Sequence, residues 1–336
     1  FAGVLTLAAV GLVVLFALRA DGREATDASS HDGGAWLVDR KAGQVRHIEH
    51  STREITASLF LRETNSGDRV IVRQSGETVL AHNRTGRTVS FLSGDRAVAD
   101  PESVVVPADA DVWATSAGIA IHDRQRASAW ITTPGEAKSI GTFDDADEEA
   151  KANEIRVSAS LLTVTVAGDP IFVSSNGQLR YGLDDAGSAL PSGFSVSAPR
   201  APDGAQLTAV GNAAVLVDDG RWVVAQGDGV EELAIDLRAR RLQQPGYASQ
   251  EVAFIDEGEK LSLLDLATGN SRTLRPLSEF GEVIDLIWHR GCAYMLTEVE
   301  GQMSSLLHCD GREAYLPSPL GSTGAELRLV NGWVWI

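Results

Sequence analysis

The chain has 336 residues, 46 acids against 29 bases, and a formal net charge of −17. Its 43% hydrophobic and 22% charged residues are those of a folded globular protein with a sizeable core, which excludes a disordered chain. The acidic balance excludes a nucleic-acid-binding role, whose phosphates need a basic face.

Residues 1–19 open the chain with the uncharged run FAGVLTLAAVGLVVLFAL, in which Thr6 is the one clearly polar side chain. At about 1.5 Å per residue this run nearly crosses a hydrocarbon core of about 30 Å. Leu18, Arg19 and Ala20 make a poor cleavage site, and signal-peptide apolar cores are usually shorter. The segment reads as an uncleaved single-pass membrane helix rather than a removed signal. A buried core helix would need a polar face, which the run lacks. Arg19 and Arg23 follow it and argue for the opposite orientation. The cysteines and the fold argued below place the body outside the cytoplasm. Residues 20–34 (ADGREATDASSHDGG) read as a flexible spacer.

From Ala35 onward short runs of Val, Ile, Leu, Trp and Thr alternate with Gly, Asp, Asn and Pro, which is an all-β pattern with no amphipathic helix. The stretches VDRKAGQV (Val38 to Val45), HNRTGRTV (His82 to Val89) and LDLATGNS (Leu264 to Ser271) share a turn type. In each an Asp or Asn side chain can bond the turn backbone, and Gly supplies a positive φ. Set out by such turns, four-strand units run over 55–92, 102–132, 155–183, 205–235, 241–274 and 282–316. Their second strands recur about every 40 residues, the period of β-propeller blades. A set of packed β-sandwiches is the structural alternative.

Two half-units remain. Ala35 to Asp39 and Gln44 to His50 match the third and fourth strands of a blade, while ELRLV and WVWI (Glu326 to Ile336) match the first and second. The expected fold is therefore a seven-bladed β-propeller over 35–336, closed by two strands from each terminus. Trp333 to Ile336 is predicted to pair with Ala35 to Asp39.

Cys292 and Cys309 are the only cysteines. A two-residue turn at Glu300-Gly301 pairs Val299 with Gln302 and sets the two cysteines opposite each other. A non-hydrogen-bonded pair of this kind has a Cα separation of about 4.5 Å, within disulfide range. A cross-strand disulfide is predicted, in keeping with an oxidising compartment.

No G-x-S-x-G elbow, H-E-x-x-H, Walker A loop or dinucleotide fingerprint is present, so no catalytic residue, cofactor site or metal site is assigned. The seven His are scattered, and His47 and His50 read as surface side chains rather than ligands. The run Asp144, Asp145, Asp147, Glu148, Glu149 offers oxygens to Ca²⁺ but lacks the spacing of a loop site, and reads as a solvated loop. VDDGRW (Val217 to Trp222) lacks the preceding Ser of an Asp-box. Asn83-Arg84-Thr85 fits a glycosylation sequon. The Trp residues read as blade packing rather than sugar platforms.

The order of membrane segment, spacer and irregular blades resembles the N-terminal part of large actinobacterial cell-surface proteins. GGAWLVDRKAGQVRHI, DLATGNSRTL and LRLVNGWVWI carry that likeness. Such proteins continue into Ig-like or fibronectin type III repeats. The resemblance implies a single-pass anchor and a scaffold or adhesion role, with a protein or cell-wall polysaccharide as partner. The expected function is a membrane-anchored, extracytoplasmic binding propeller without enzymatic activity. A polysaccharide-binding or polysaccharide-degrading propeller is the alternative, and Asp/Glu with Trp at the channel mouth would distinguish it. A quinone-cofactor propeller would need a basic, aromatic pocket that this acidic chain does not suggest.

Overall fold

The computed structural model describes residues 34–335 apart from 40–42, 62–63, 66, 77, 93–101, 117, 145–151, 153–155, 182–192, 196–203, 227–228, 236, 248–249, 310–311, 318–326 and 331–332. The expected membrane segment, 1–19, and residues 20–33 of the expected spacer lie outside the described residues. Among the described residues no helix is long and apolar enough to cross a membrane.

The chain is an all-β, seven-bladed propeller. Blade 1 is the antiparallel sheet β1 (Ala35–Asp39), β2 (Gln44–Ile48) and β3 (Ile55–Phe60). Blade 2 is β4 (Val70–Ser75), β5 (Thr78–Asn83), β6 (Thr88–Leu92) and β7 (Ser103–Val105). Blade 3 holds β8 (Asp111–Thr115), β9 (Gly118–Asp123), β10 (Ser128–Thr132) and β11 (Arg156–Ser158). Blade 4 holds β12 (Leu161–Val164), β13 (Pro170–Val173), β14 (Gln178–Tyr181) and β15 (Gly193–Ser195). Blade 5 follows with β16 (Gln206–Val210), β17 (Ala213–Asp218), β18 (Arg221–Gln226) and β19 (Gly229–Leu233). Blade 6 is β20 (Ala239–Leu242), β21 (Glu251–Asp256), β22 (Lys260–Asp265) and β23 (Ser271–Pro276). Blade 7 is β24 (Glu282–His289), β25 (Cys292–Val299), β26 (Gln302–Cys309) and β27 (Arg312–Pro317). A hairpin, β28 (Arg328–Val330) and β29 (Trp333–Trp335), comes last.

The first strands of successive blades lie side by side, β1 by β4, β4 by β8, and so on to β24. Each blade packs its two faces on its neighbours, so the middle strands carry apolar runs rather than a strict alternation. Strands β9 and β17 are buried at every residue. The core divides accordingly into inter-blade clusters. Leu80, Val89 and Val104 of blade 2 meet Val112, Ile121 and Trp130 of blade 3. Ala253, Ile255 and Leu263 of blade 6 meet Leu286, Ala293 and Met295 of blade 7. Burying a side chain of this size contributes about 1.5–3 kcal/mol.

Three expectations are corrected. The N-terminal end supplies three strands, not two: Ile55–Phe60 turns back onto β2 across a bulge at His47/Ile48 instead of opening blade 2. The same one-strand shift moves Ser103–Val105 into blade 2 and Arg156–Ser158 into blade 3, while the strands of blades 5–7 fall as expected. The two-plus-two closure is therefore replaced. In the described strand order β29 pairs with β28 alone, not with β1. Val334 and Leu329 of this hairpin pack on Ile287, Leu296 and Met303 of blade 7. Asp285 secures it, since one carboxylate oxygen accepts from Leu327 N at 3.0 Å. Gln244 Nε2 donates to both Asp285 oxygens at 2.6 and 2.7 Å and to Leu327 O at 3.0 Å.

The third correction is a helix, α1 (Pro134–Ile140), between β10 and β11. Thr133 caps it by accepting from Glu136 N, Pro stands at its start, and Gly141 at φ 78° ends it. Thr-Pro-Gly-Glu is a capping box followed by Ala137 and Ile140, both buried. Beyond the helix, Thr142 bridges in parallel to Val105, extending the outer edge of blade 2.

The disulfide is present: Cys292 stands opposite Cys309 with a Cα separation of 4.2 Å, and Val299 opposite Gln302. Glu300 (φ 50°) and Gly301 (φ 79°) give the two left-handed residues of a type I′ turn.

Candidate interaction face

The antiparallel order sends every turn between second and third strands to one face of the propeller. The turns between first and second, and between third and fourth, lie on the other. On the first face stand Arg84 and Arg87 (after β5), Arg124 and Arg126 (after β9), Asp219 (after β17), Glu257 and Glu259 (after β21) and Glu300 (after β25).

The turns are built by their Asx residues. Asn83 Oδ1 accepts from Gly86 N at 2.9 Å, and Asp123 Oδ1 accepts from Arg126 N at 3.0 Å. The left-handed residue is Arg87 (φ 54°) in the first turn, one position beyond the expected Gly86, and Ala127 (φ 46°) in the second, which has no Gly. Each turn thereby presents two Arg side chains outward. Asn83 Nδ2 also donates to Asp68 at 2.8 Å. Asn83 is 4% exposed, so the sequon asparagine serves the turn and is not open to glycosylation. The Asp68 carboxyl is held below its ordinary value, first by Asn65 N–H and then by Asn83.

Ion pairs follow two opposite patterns around this face. On blades 2 and 3 an aspartate is shared by two guanidiniums. Asp111 accepts from Arg84 Nη2 at 2.9 Å and from Arg124 Nε at 2.7 Å. Asp144 accepts from Arg87 Nη1 at 2.9 Å through its side chain and from Arg126 Nη1 at 3.0 Å through its carbonyl. On blades 5 to 7 a guanidinium is shared by two carboxylates. Arg238 lies 3.5 Å from Asp219 and 3.7 Å from Glu257. Arg240 lies 3.1 Å from both Glu259 and Glu282, in a shallow cleft floored by Leu277 and Val283. The face thus has an Arg-rich arc and a Glu-rich arc. These pairs are exposed or, at Asp111, partly buried, and exposed pairs of this kind hold side chains in place for about 0.2–1 kcal/mol each.

Beneath the Arg-rich arc, His122 is 1% exposed and faces Asp111 across the β8–β9 pair. Its Nε2 donates to Ala159 O at 3.0 Å, and its Nδ1 has no partner. Burial lowers its pKa below the ordinary value, against the opposing pull of the Ala159 carbonyl and Asp111.

The other sequence candidates fall apart in space. His47, His82, His122 and His308 are buried, which corrects the surface reading of His47: it is 0% exposed, beside Trp36, and bonded to Thr56. His50 lies outside the strands. Of the acidic run only Asp144 is described; residues 145–149 lie outside the described residues. Among the described residues no group of three or more His, Cys, Asp or Glu is placed to hold a metal ion. Trp36, Trp130, Trp222 and Trp288 are buried in blade contacts, as their strand setting implies. VDDGRW is a hairpin whose Asp218 is buried and lies 3.6 Å from Arg221. Cys292 and Cys309 lie toward the opposite face. Sequence reading missed the Arg-rich arc. Its signal was the basic pair repeated in NRTGR and DRQRA, two turns of one type about 40 residues apart.

No protein-family model matches the chain, and no curated protein is similar to it. Solved structures are similar in fold. BamB from Moraxella catarrhalis aligns over 90% of this chain and 88% of its own, with 10% identity and a TM-score of 0.55. AztD from Citrobacter koseri aligns over 88% and 86%, with 12% identity and a TM-score of 0.53. Hsv2 from Kluyveromyces lactis aligns over 85% and 94%, with 10% identity and a TM-score of 0.53. At these identities the likeness is one of fold: a β-propeller.

Proposed function

We propose that this protein is a membrane-anchored, extracytoplasmic propeller that binds protein partners as a scaffold or adhesion module of a cell-surface protein. The carrying observation is the turn face, where ordered, exposed Arg, Asp and Glu side chains form a broad surface rather than a converged catalytic pocket. Propeller turns mounted on a rigid stack suit recognition, because the blades fix each turn while leaving its side chains free to contact a partner. The burial of four Trp in blade packing supports protein over sugar as ligand. The disulfide supports an oxidising compartment. The apolar run at 1–19 supports the anchor, and the resemblance to actinobacterial cell-surface proteins supports the surface location.

One observation favours the polysaccharide reading: Tyr247, 38% exposed, leans on the His289 ring at 5.6 Å and offers an aromatic surface on the opposite face. Fractionation of cells expressing the full chain tests the proposal. The protein should sediment with membranes, be degraded by protease added outside spheroplasts, and be released when residues 1–34 are deleted. Protection from the protease would contradict it. Retention on purified cell-wall polysaccharide that Tyr247→Ala abolishes would favour the second reading.

A further inference from the structure

We infer that the Arg-rich arc of blades 2 and 3 is a docking site for a carboxylate-rich segment of a partner protein. The inference rests on the protein-binding reading above and names the partner's chemistry and the surface that receives it.

Arg is the side chain suited to this task, because its planar fork offers paired N–H donors to a carboxylate. On this arc those forks are only partly used. Arg124 spends Nε on Asp111 and is 69% exposed in its side chain, leaving Nη1 and Nη2 without a hydrogen bond among the described residues. Arg87 spends Nη1 on Asp144 and is 45% exposed, leaving its remaining donors open. Asp111 and Asp144 restrain the guanidiniums they bind, which lowers the ordering cost of binding. Asp123 accepts from Arg126 N and, at 3.3 Å, from Arg126 Nη1, so Arg126 is the more occupied of the four, and Asp68 is taken up by Asn65 and Asn83.

The molecule already shows the arc accepting a carboxylate. Asp144 is the first residue of an acidic run and comes to rest, half-buried, with its side chain on Arg87 and its carbonyl on Arg126. The rest of the face determines direction. The Glu-rich arc, with Asp219, Glu257, Glu259 and Glu282, repels an acidic segment and confines it to blades 2 and 3. On a chain of net charge −17 this arc gathers four Arg on two adjacent turns, which favours an anionic partner there.

The test is fluorescence anisotropy of the full chain with a labelled Glu/Asp peptide of about ten residues, at low salt and at about 0.3 M NaCl, where screening shortens the reach of charge. Wild type should bind at low salt and weaken with salt. Arg87→Glu with Arg124→Glu should bind about tenfold more weakly, the loss expected of two exposed charge pairs. Arg87→Gln with Arg124→Gln, which cannot be unfolded by new repulsion, should fall between. Glu259→Lys with Glu282→Lys should bind no more weakly than wild type. Peptide binding unchanged in both Arg variants overturns the arc and leaves the protein-binding reading standing. No peptide binding by wild type, together with retention of a cell-wall polysaccharide, overturns both. Tighter capture of labelled polyphosphate than of the peptide, lost in the same Arg variants, overturns the assignment to a protein carboxylate.

Discussion

His122 shows how a single side chain senses pH in this fold. Its ring is neutral, with the proton on Nε2 donated to Ala159 O, and Nδ1 faces no partner. Protonation would bury an unpaired N–H⁺, against the attraction of Asp111 and Asp123 and with the repulsion of Arg124. The folded pKa is lowered, so the folded state binds fewer protons than the unfolded chain. The stability linked to this ring is complete above the unfolded value of about 6.5 and is lost as pH falls below it, by up to about 1.4 kcal/mol per pH unit. Urea unfolding between about pH 7.5 and pH 5 should show wild type losing stability and His122→Gln losing less. Equal slopes would rule this out. That this His is buried was not legible in AIHD, because only stacking of both blade faces closes a position that a two-sided strand would leave half open. The same stacking hides His47, whose spacing from His50 said only that the two do not share a strand face.

At the scale of elements, hairpin arithmetic worked where turns are short. The Glu300-Gly301 turn fixed the β25–β26 register, and with it the disulfide. The cross-link closes a loop of sequence separation 17, so Cys292→Ser with Cys309→Ser should cost about 3 kcal/mol. A lower urea midpoint without reductant, and no further effect of reductant, is the expected result; an unchanged midpoint would contradict it. Asp285 makes a second element-level prediction. Asp285→Ala removes the acceptor for Leu327 N and strands Gln244, a loss of about 1–3 kcal/mol at a partly buried site. Hydrogen exchange should then speed up selectively at Leu327–Val330, while the β25–β26 amides keep their protection. Uniform protection would show that Leu329 and Val334 hold the hairpin without the latch. Helix α1 was legible but overlooked: Thr-Pro-Gly-Glu is a capping signal, outweighed by the β-rich residues on either side.

At the scale of the whole molecule, the period of about 40 residues and the turn chemistry made the propeller readable from sequence. The frame of the first blades was not readable. Connections from a third to a fourth strand range in length from two residues, between β18 and β19, to the stretch 133–155 that carries α1, so length does not say which strand opens a blade. The last three blades, with tight third-to-fourth connections, were framed as observed. The interaction face was unreadable for a related reason. It gathers Arg84 and Arg124, which are 40 positions apart and acquire a common partner in Asp111 only when blades 2 and 3 stack. Under the proposed function this face lies outside the membrane and engages a protein. Photo-cross-linking from intact cells tests it most directly, with the reactive residue placed at Arg124 and, separately, at exposed Thr268 on the opposite face. The account predicts a protein adduct from position 124 and none from position 268. Adducts from 268 alone, or cross-linking to polysaccharide from either position, would contradict it.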